Sequence, residues 1–327
     1  MTGSDDPADV AAIPSLAIGM APLHRPSYEP GLNAIVALAS VHARGHPAHF
    51  LAADRAYTNA KAEKFQLPAR ALGYRLVLDY KKDQLGIQDS FAGFVQIEGW
   101  WYSPSIPPVL ANATADYRNG VIDEELYHKR LEERWLYRAR ARSHPDAEGH
   151  IRVSCPASCG MARCELKPAS LTLAATRGKL RIPVRPDIRA DPPLSCRQAS
   201  VTIPPEAGAK FAQELLFGSP EWDGVYSTLR NSIEGFNGYV KDGAHEALGD
   251  PGRRRLRGVA AQSVLVAFQL FAANLRKIAA FLAEEEAIAE GSVRRLPRRR
   301  RTQSIHAWRP AVPGAQSSAA PDPPCTV

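Results

Sequence analysis

The chain has 327 residues, of which 45% are hydrophobic and 23% are charged, as is ordinary for a globular protein of two or three domains. The sequence opens without the basic, apolar pattern of a secretory signal, and five cysteines are too few for a secreted disulfide framework. These features exclude a secreted disulfide-rich domain and predict a cytoplasmic protein.

Most of the formal net charge of +7 lies at the carboxyl end of the sequence. Residues 291–327 contain seven arginines and one aspartate, so 7 − 1 = +6 of the charge belongs to this segment. We expect it to be a basic, Pro-rich, disordered tail, and we expect residues 1–12 to be a disordered start. The remainder is close to neutral, so DNA binding there would depend on local basic patches.

Strands and helices alternate in the first part of the chain. Hydrophobic periodicity predicts five elements in order: a strand over Pro14–Met20, a helix over Leu32–Arg44, a strand over His49–Ala53, a helix over Thr58–Leu72 and a strand over Arg75–Asp79. Such alternation is typical of an α/β fold.

Asp54 stands at the carboxyl end of the second predicted strand. Ligands and metals in open sheets bind beyond the carboxyl ends of strands, so an aspartate there can serve as a metal ligand. The alternative is that Asp54 caps the helix that follows it.

Residues 81–220 carry strands over Phe91–Tyr102, with Trp100 and Trp101 at their end. Adjacent aromatic residues most often form a small hydrophobic core, and the alternative is a platform on which an extruded DNA base stacks.

A charged helix is predicted over Ile122–Arg142, with four arginines towards its end: Arg134, Arg138, Arg140 and Arg142. These side chains suit either the helix dipole or phosphate groups, and the sequence does not choose between the two.

Four cysteines form the metal-like cluster of this chain: Cys155, Cys159, Cys164 and the later Cys196. Four thiolates can hold a structural zinc ion, and His150 is a substitute ligand. Their spacing is looser than that of paired CxxC motifs, so free buried thiols are the alternative.

A helix that opens at Ser219 or Glu221 and includes the stretch Tyr226–Lys241 carries Arg230, Glu234 and Lys241, which recur on nearly one helical face. A carboxylate flanked by two cations stays charged, and this suits a metal ligand beside a phosphate backbone. The alternative is a surface helix with spaced ion pairs.

The loop that follows carries four arginines: Arg253, Arg254, Arg255 and Arg257. They are candidate phosphate contacts, and the alternative is a solvated turn. The segment Gly258–Glu286 predicts one long helix whose apolar face packs on the sheet. Polar residues interrupt its apolar run, which favours a buried helix over a membrane span.

The spacing Arg230-x3-Glu234-x6-Lys241 resembles the Tyr-x2-Arg-x3-Glu-x6-Lys signature of bacterial insertion-sequence transposases of the DDE type. Tyr226 departs from it, because three residues rather than two separate it from Arg230. The upstream segment Leu-Ala-Ala-Asp-Arg-Ala-Tyr, residues 51–57, is similar to a second family segment in the expected order. The resemblance extends from about residue 14 to about residue 282 and has the texture of actinobacterial transposases.

The resemblance implies an α/β fold with an RNase H-like core that is incomplete at its amino end. The core would comprise residues 13–80 and 221–290, and residues 81–220 would be an insertion domain with the cysteine cluster. The implied chemistry is DNA strand cleavage and transfer with two Mg²⁺ ions, for which Asp54 and Glu234 would be ligands and Arg230 and Lys241 would assist catalysis.

The first acid of the implied catalytic triad is not identifiable in the sequence. We therefore expect an amino-terminally truncated transposase with impaired or no catalysis. Its partners would be DNA at transposon ends and, as an open alternative, a second copy of the chain, with no membrane. The rival hypotheses are a non-catalytic DNA-binding or assembly remnant, a carboxylate hydrolase such as a glycosidase, and a zinc-binding interaction module. The cations at Arg230 and Lys241 disfavour the hydrolase.

Overall fold

Helices and strands are interspersed along the chain, so the protein has the mixed α/β class that the sequence predicts. The computed structural model describes residues 13–22, 28–171 and 191–292. The predicted disordered segments, 1–12 and nearly all of 291–327, lie outside these residues. The described chain forms two compact units, one containing residues up to Leu78 and from Pro220 onward, the other containing Asp79–Ser219. The boundaries between them lie close to the limits of the predicted insertion, 81 and 220.

Each unit has its own set of elements. The first unit contains α1 Pro30–Ala43, β1 Phe50–Ala53, α2 Arg55–Thr58, α3 Gln66–Ala71, β2 Arg75–Leu78, α8 Pro220–Val240 and α9 Val259–Ala289. The second unit contains β3 Ile87–Phe91, β4 Phe94–Ile97, β5 Trp100–Tyr102, α4 Pro108–Ala111, α5 Ala113–Arg118, α6 Glu124–Trp135, β6 Arg140–Ala141, β7 Ile151–Ser154, α7 Leu194–Arg197 and β8 Val201–Ile203.

A parallel strand pair forms the centre of the first unit. β1 and β2 run side by side, with Phe50 opposite Arg75 and Ala53 opposite Leu78. The apolar run Leu76–Leu78 is fully buried, as expected for a strand covered on both faces. Helix α8 packs against both strands. The unit therefore has a two-stranded sheet among its described residues, with a long helix laid on it.

The strand predicted over Pro14–Met20 is wrong, because residues 13–22 form no strand in the described chain. The side chain of Asn274 in α9 satisfies the backbone of Ala17 instead, accepting from its amide at 3.0 Å and donating to its carbonyl at 2.7 Å. A side-chain amide thus takes the hydrogen bonds that a neighbouring strand would otherwise make. Apolar patterning alone does not distinguish these two outcomes.

The helix predicted over Thr58–Leu72 is also wrong as a continuous element. The chain forms α2, a 3₁₀ turn at Ala62–Lys64 and then α3. Pro68 lies in the first turn of α3, where its missing amide and fixed φ are tolerated, whereas both would disrupt the interior of a longer helix.

Two tight turns shape the antiparallel sheet β3-β4-β5 of the second unit. Ala92 and Gly93 connect β3 to β4 with φ of 51° and 91°, and Glu98 and Gly99 connect β4 to β5 with φ of 48° and 90°. Two consecutive residues with positive φ are the hallmark of type I′ hairpin turns, in which glycine is favoured at the second place. A second antiparallel sheet has the order β6-β7-β8.

A buried ion pair ties the β4–β5 turn to two helices of the same unit. The Glu98 carboxylate accepts from Arg134 of α6 at 2.8 Å and from the Thr114 hydroxyl of α5 at 2.9 Å. The side chains of Glu98 and Arg134 are 0% and 1% exposed. Arg134 therefore has a structural partner that the sequence did not reveal.

Helix α6 is shorter than the predicted Ile122–Arg142. It ends at Trp135, and the three later arginines lie outside it. Arg138 places its guanidinium 4.3 Å from the Trp135 ring centroid, and Arg140 is part of β6. The helix dipole of α6 therefore does not explain these later arginines.

Helix α9 does not bury the apolar face that the sequence predicts it to pack on the sheet. It packs against α8, and the residues it buries are Val266 and Ala273. Large side chains on its other side are exposed: Val264, Phe268, Phe271, Leu275 and Leu282. Among the described residues, α9 is the one helix that is long and apolar enough to cross a membrane, judged by length and composition alone.

We expect Arg134→Met to lower the free energy of unfolding by about 3–5 kcal/mol, because Glu98 would remain buried without its cation. Urea denaturation measures this loss. The matched control is Arg197→Met, which removes an exposed partner of Asp191 in the same unit and should cost less than about 1 kcal/mol. Equal losses for the two variants would contradict a structural role for the buried pair.

Candidate functional site

Asp54 lies directly after β1 and is exposed. Its carboxylate accepts a hydrogen bond from the Arg55 amide at 2.6 Å and so caps α2. The helix cap, which is the alternative to a metal ligand at this position, is therefore present. A carboxylate has two oxygens with several lone pairs, so one bond to an amide leaves capacity for a cation.

Helix α8 is fixed to the end of β2 by its first turn. The Trp222 indole N–H donates to the Leu78 carbonyl at 3.2 Å, and Leu78 is paired with Ala53, the residue before Asp54. Trp222 is buried and stacks on Tyr226, with ring centroids 4.8 Å apart. The amino end of α8 thus contacts the carboxyl end of β2, next to the end of β1 that Asp54 follows.

A ladder of side chains continues along α8 at four-residue steps, which place successive residues on one helical face. Arg230 donates to the Tyr226 hydroxyl at 3.2 Å and to the Glu234 carboxylate at 2.9 Å. These two hydrogen bonds raise the pKa of Arg230, and the bond to Tyr226 has the larger effect. Tyr226 therefore takes part in the cluster although its spacing departs from the family signature.

Glu234 is exposed, as is Lys241. Lys241 was predicted to share the helical face of Glu234, but α8 ends at Val240 and Lys241 is the next residue. Its amide still donates to the Asn237 carbonyl at 3.3 Å. Arg230 is thus the cation that contacts Glu234. That Lys241 assists catalysis stays a prediction.

A third carboxylate does not join Asp54 or Glu234 in a compact ligand group within the described residues. There, the group of three potential ligand atoms lying within 4.8 Å of one another is formed by Asp146, Glu148 and His150. His150 donates its amide to Asp146, and this bond is the largest cause of the lowered pKa of Asp146. His150 is therefore engaged in a loop with acidic neighbours.

Asp79 is an acid that was not among the candidate site residues predicted from the sequence. It directly follows β2 and is buried, and its carboxylate lies 3.5 Å from the Arg118 guanidinium. The signal that could have found it is the one that marked Asp54, an aspartate at the end of a buried strand.

The predicted DNA-contacting arginines differ in what they contact. Arg253 donates to the carbonyls of His245 and Gly243 at 2.7 and 3.2 Å and so closes its own loop. Arg254 is half-buried and Arg255 is exposed. Arg255 thus presents its charge to solvent, whereas Arg253 has a structural part.

Trp100 and Trp101 are half-buried in the second unit. The Trp100 ring lies 5.8 Å from the Trp135 ring, and its indole N–H donates to the Leu215 carbonyl at 3.4 Å. Trp101 packs against the core cluster that contains Phe94 and Val153. These are the contacts of a small hydrophobic core, and base stacking stays a prediction.

Three cysteines of the predicted zinc cluster, Cys155, Cys164 and Cys196, are buried free thiols. Burial raises the pKa of Cys196, and the charges of Cys155 and Cys164 add to this effect. Cys159 ends a 3₁₀ turn at Pro156–Cys159 and is half-buried. Cys155, Cys164 and Cys196 are thus the free buried thiols that the sequence left open as the alternative, this alternative does not extend to Cys159, and zinc binding stays a prediction.

No protein-family model, curated protein or solved structure matches this chain.

We expect the thiols of Cys155, Cys164 and Cys196 to react with a disulfide reagent at pH 8 far more slowly in the native protein than in urea. Burial excludes the reagent from all three thiols, and it also raises the pKa of Cys196. Adding a zinc chelator to the native protein should leave the rate unchanged, because burial alone protects these thiols. Faster labelling with release of one zinc per chain would establish the zinc site instead.

Proposed function

We propose that this chain is a DNA transposase of the DDE type with an RNase H-like core and impaired strand-cleavage activity. The observation that carries the proposal is the arrangement of the first unit. Asp54 follows one strand of a parallel pair, and Glu234 lies on the helix that packs against both strands. The proposed core is therefore built from β1, β2 and α8.

The donor atoms of this arrangement suit Mg²⁺, which prefers carboxylate oxygens and retains several waters. Asp54 and Glu234 are exposed, and each uses part of its hydrogen-bonding capacity on Arg55 or Arg230. When bound, the metal ions would activate a water or 3′-hydroxyl and stabilise the leaving oxygen of the scissile phosphate. Asp54 and Glu234 would hold the ions, and Arg230 would orient Glu234.

Impaired catalysis is part of the proposal because the described residues bring no third carboxylate to Asp54 and Glu234. A two-metal site needs an acid shared between both ions, and no compact group of three ligands among the described residues includes Asp54 or Glu234. Weak, metal-dependent nicking is thus the activity that the proposal requires.

We expect weak Mg²⁺- or Mn²⁺-dependent nicking of supercoiled plasmid DNA that falls to background in Asp54→Asn and in Glu234→Gln. Asparagine retains an oxygen for the helix cap but loses the charge that holds a metal. The matched control is Asp123→Asn, which changes an exposed aspartate capping α6 through the Leu126 amide and should nick like the unmodified chain. Nicking that survives in Asp54→Asn would contradict the proposed site.

A second candidate function is DNA binding without cleavage. It is favoured by the local contacts of the two acids, because a cap for Asp54 and an ion pair for Glu234 are sufficient structural reasons for both. In that case exposed cations such as Arg255 would contact the phosphate backbone, with affinity that falls as salt rises.

We expect Arg254→Ala with Arg255→Ala to weaken binding to duplex DNA and to reduce the slope of log affinity against log salt by about 2. Fluorescence anisotropy across a salt series measures both. The control is Arg152→Ala, which removes an exposed arginine of β7. Binding without nicking would favour the second function, and the absence of both would contradict the two together.

A further inference from the structure

The exposed side of α9 carries apolar residues at alternating steps of four and three: Val264, Phe268, Phe271, Leu275, Ile278 and Leu282, which we name the α9 seam. Five of them are between 52% and 67% exposed, and Ile278 is half-buried. This alternation is the spacing by which two helices pack side by side along a common line. The seam is about 27 Å long at 1.5 Å per residue.

The seam has no charged residue among its neighbours from Val259 to Ala283 except Arg276 and Lys277. Both point away from it: Arg276 contacts Glu246 and lies over the Tyr239 ring, and Lys277 also lies near that ring. Alanines at Ala267, Ala272 and Ala279 flank the seam and permit a close approach of two backbones. A partner surface that covers the seam would therefore need to be apolar as well.

The charges at the two ends of α9 determine the orientation of its partner. Arg255 and Arg257 precede the helix, and Glu284, Glu286 and Glu290 stand at its end. Each group has the sign that the helix dipole disfavours at that end, and α9 has no acidic residue in its first turn and no basic residue in its last. A second α9 in antiparallel orientation places arginines beside glutamates at both ends, whereas a parallel one places like charges together.

The seam is also complementary to itself in this orientation. With the two helices centred on each other, Val264 faces Leu282, Phe268 faces Ile278 and Phe271 faces Leu275 of the second copy. Each aromatic ring meets an aliphatic side chain, and the same pairs recur on both sides of a twofold axis, as an isologous interface requires.

We propose that the α9 seam docks antiparallel against the α9 seam of a second copy of this chain. The inference uses neither Asp54 nor Glu234, so it stands or falls independently of the proposed catalytic function.

The opposite side of α9 is fastened to its own unit, which argues for a protein partner rather than lipid. Asn274 holds Ala17, Arg276 binds Glu246, and the Gln269 side chain donates to the Glu246 carbonyl at 2.9 Å. A helix held along one side cannot be surrounded by acyl chains. A helix that lies on a membrane surface carries its cations along the edges of its apolar face. In this chain Arg255 and Arg257 instead precede the helix.

Sedimentation equilibrium of the full chain tests the proposal, and we expect a species of twice 35.6 kDa. Phe268→Glu with Phe271→Glu should weaken the dimer at least about 30-fold, the size expected for central aromatic residues of an interface. Both side chains are exposed in the single copy, so the variant should keep its helical circular dichroism. The control is Val121→Glu, at a residue of the second unit that is 71% exposed.

Disulfide trapping tests the orientation. A mixture of Val264→Cys chains and Leu282→Cys chains should form a cross-linked pair, and Val264→Cys alone should not exceed the unmodified chain treated with the same oxidant. Cross-linking of Val264→Cys to itself would overturn the antiparallel arrangement. A monomeric chain that floats with phosphatidylcholine–phosphatidylglycerol vesicles would overturn the proposal in favour of a lipid surface, provided that the Phe268→Glu, Phe271→Glu variant no longer floats. A monomeric chain that does not bind vesicles would overturn the proposal outright.

Discussion

The hydrogen bond from the Trp222 indole to the Leu78 carbonyl is the contact on which the proposed site depends. It joins the start of α8 to the end of β2, and the strand register places Leu78 beside Ala53. From that point the side chains of α8 form a connected series through Tyr226 and Arg230 to Glu234, which lies 12 residues, or about 18 Å, farther along the helix than Trp222. Two segments about 170 residues apart in sequence thus become parts of one unit.

Each of the two exposed acids of the proposed site has a local hydrogen-bond partner. Glu234 has a guanidinium within hydrogen-bonding distance, and Asp54 has the amide of a helix amino end. The same contacts also satisfy ordinary structural needs, because capping and i to i+4 pairing stabilise short surface helices. Structure and proposed chemistry therefore make compatible use of the same bonds.

Elements with strong local periodicity were predictable from the sequence, and elements that depend on distant partners were not. Helices α1 and α8 and strands β1 and β2 lie close to their predicted positions because apolar spacing and flanking turns define them. The segment at Ala17 reads as a strand, but its hydrogen bonds go to Asn274, which lies 257 residues away. The Glu98 to Arg134 pair was equally unpredictable, since a glutamate in a tight turn ordinarily faces solvent.

The site shows the same division between local and distant information. The order strand, Asp54, helix and the spacing from Arg230 to Glu234 were readable from residue types. The break of α8 before Lys241 and the loop contacts of Arg253 were not, because both depend on how the α8–α9 loop folds back on itself. Apolar patterning predicted the seam of α9 but assigned it to the sheet, since a pattern indicates that a face is covered and not what covers it.

The central claim is that Asp54 and Glu234 share bound metal, and a double-mutant cycle on Mn²⁺ binding, followed by electron paramagnetic resonance, tests it most directly. We expect Asp54→Asn and Glu234→Gln each to weaken Mn²⁺ binding at least about 10-fold, and the double variant to be little weaker than either, because both remove ligands of the same ions. Independent, additive effects of the two substitutions, or Mn²⁺ binding that neither changes, would contradict the account.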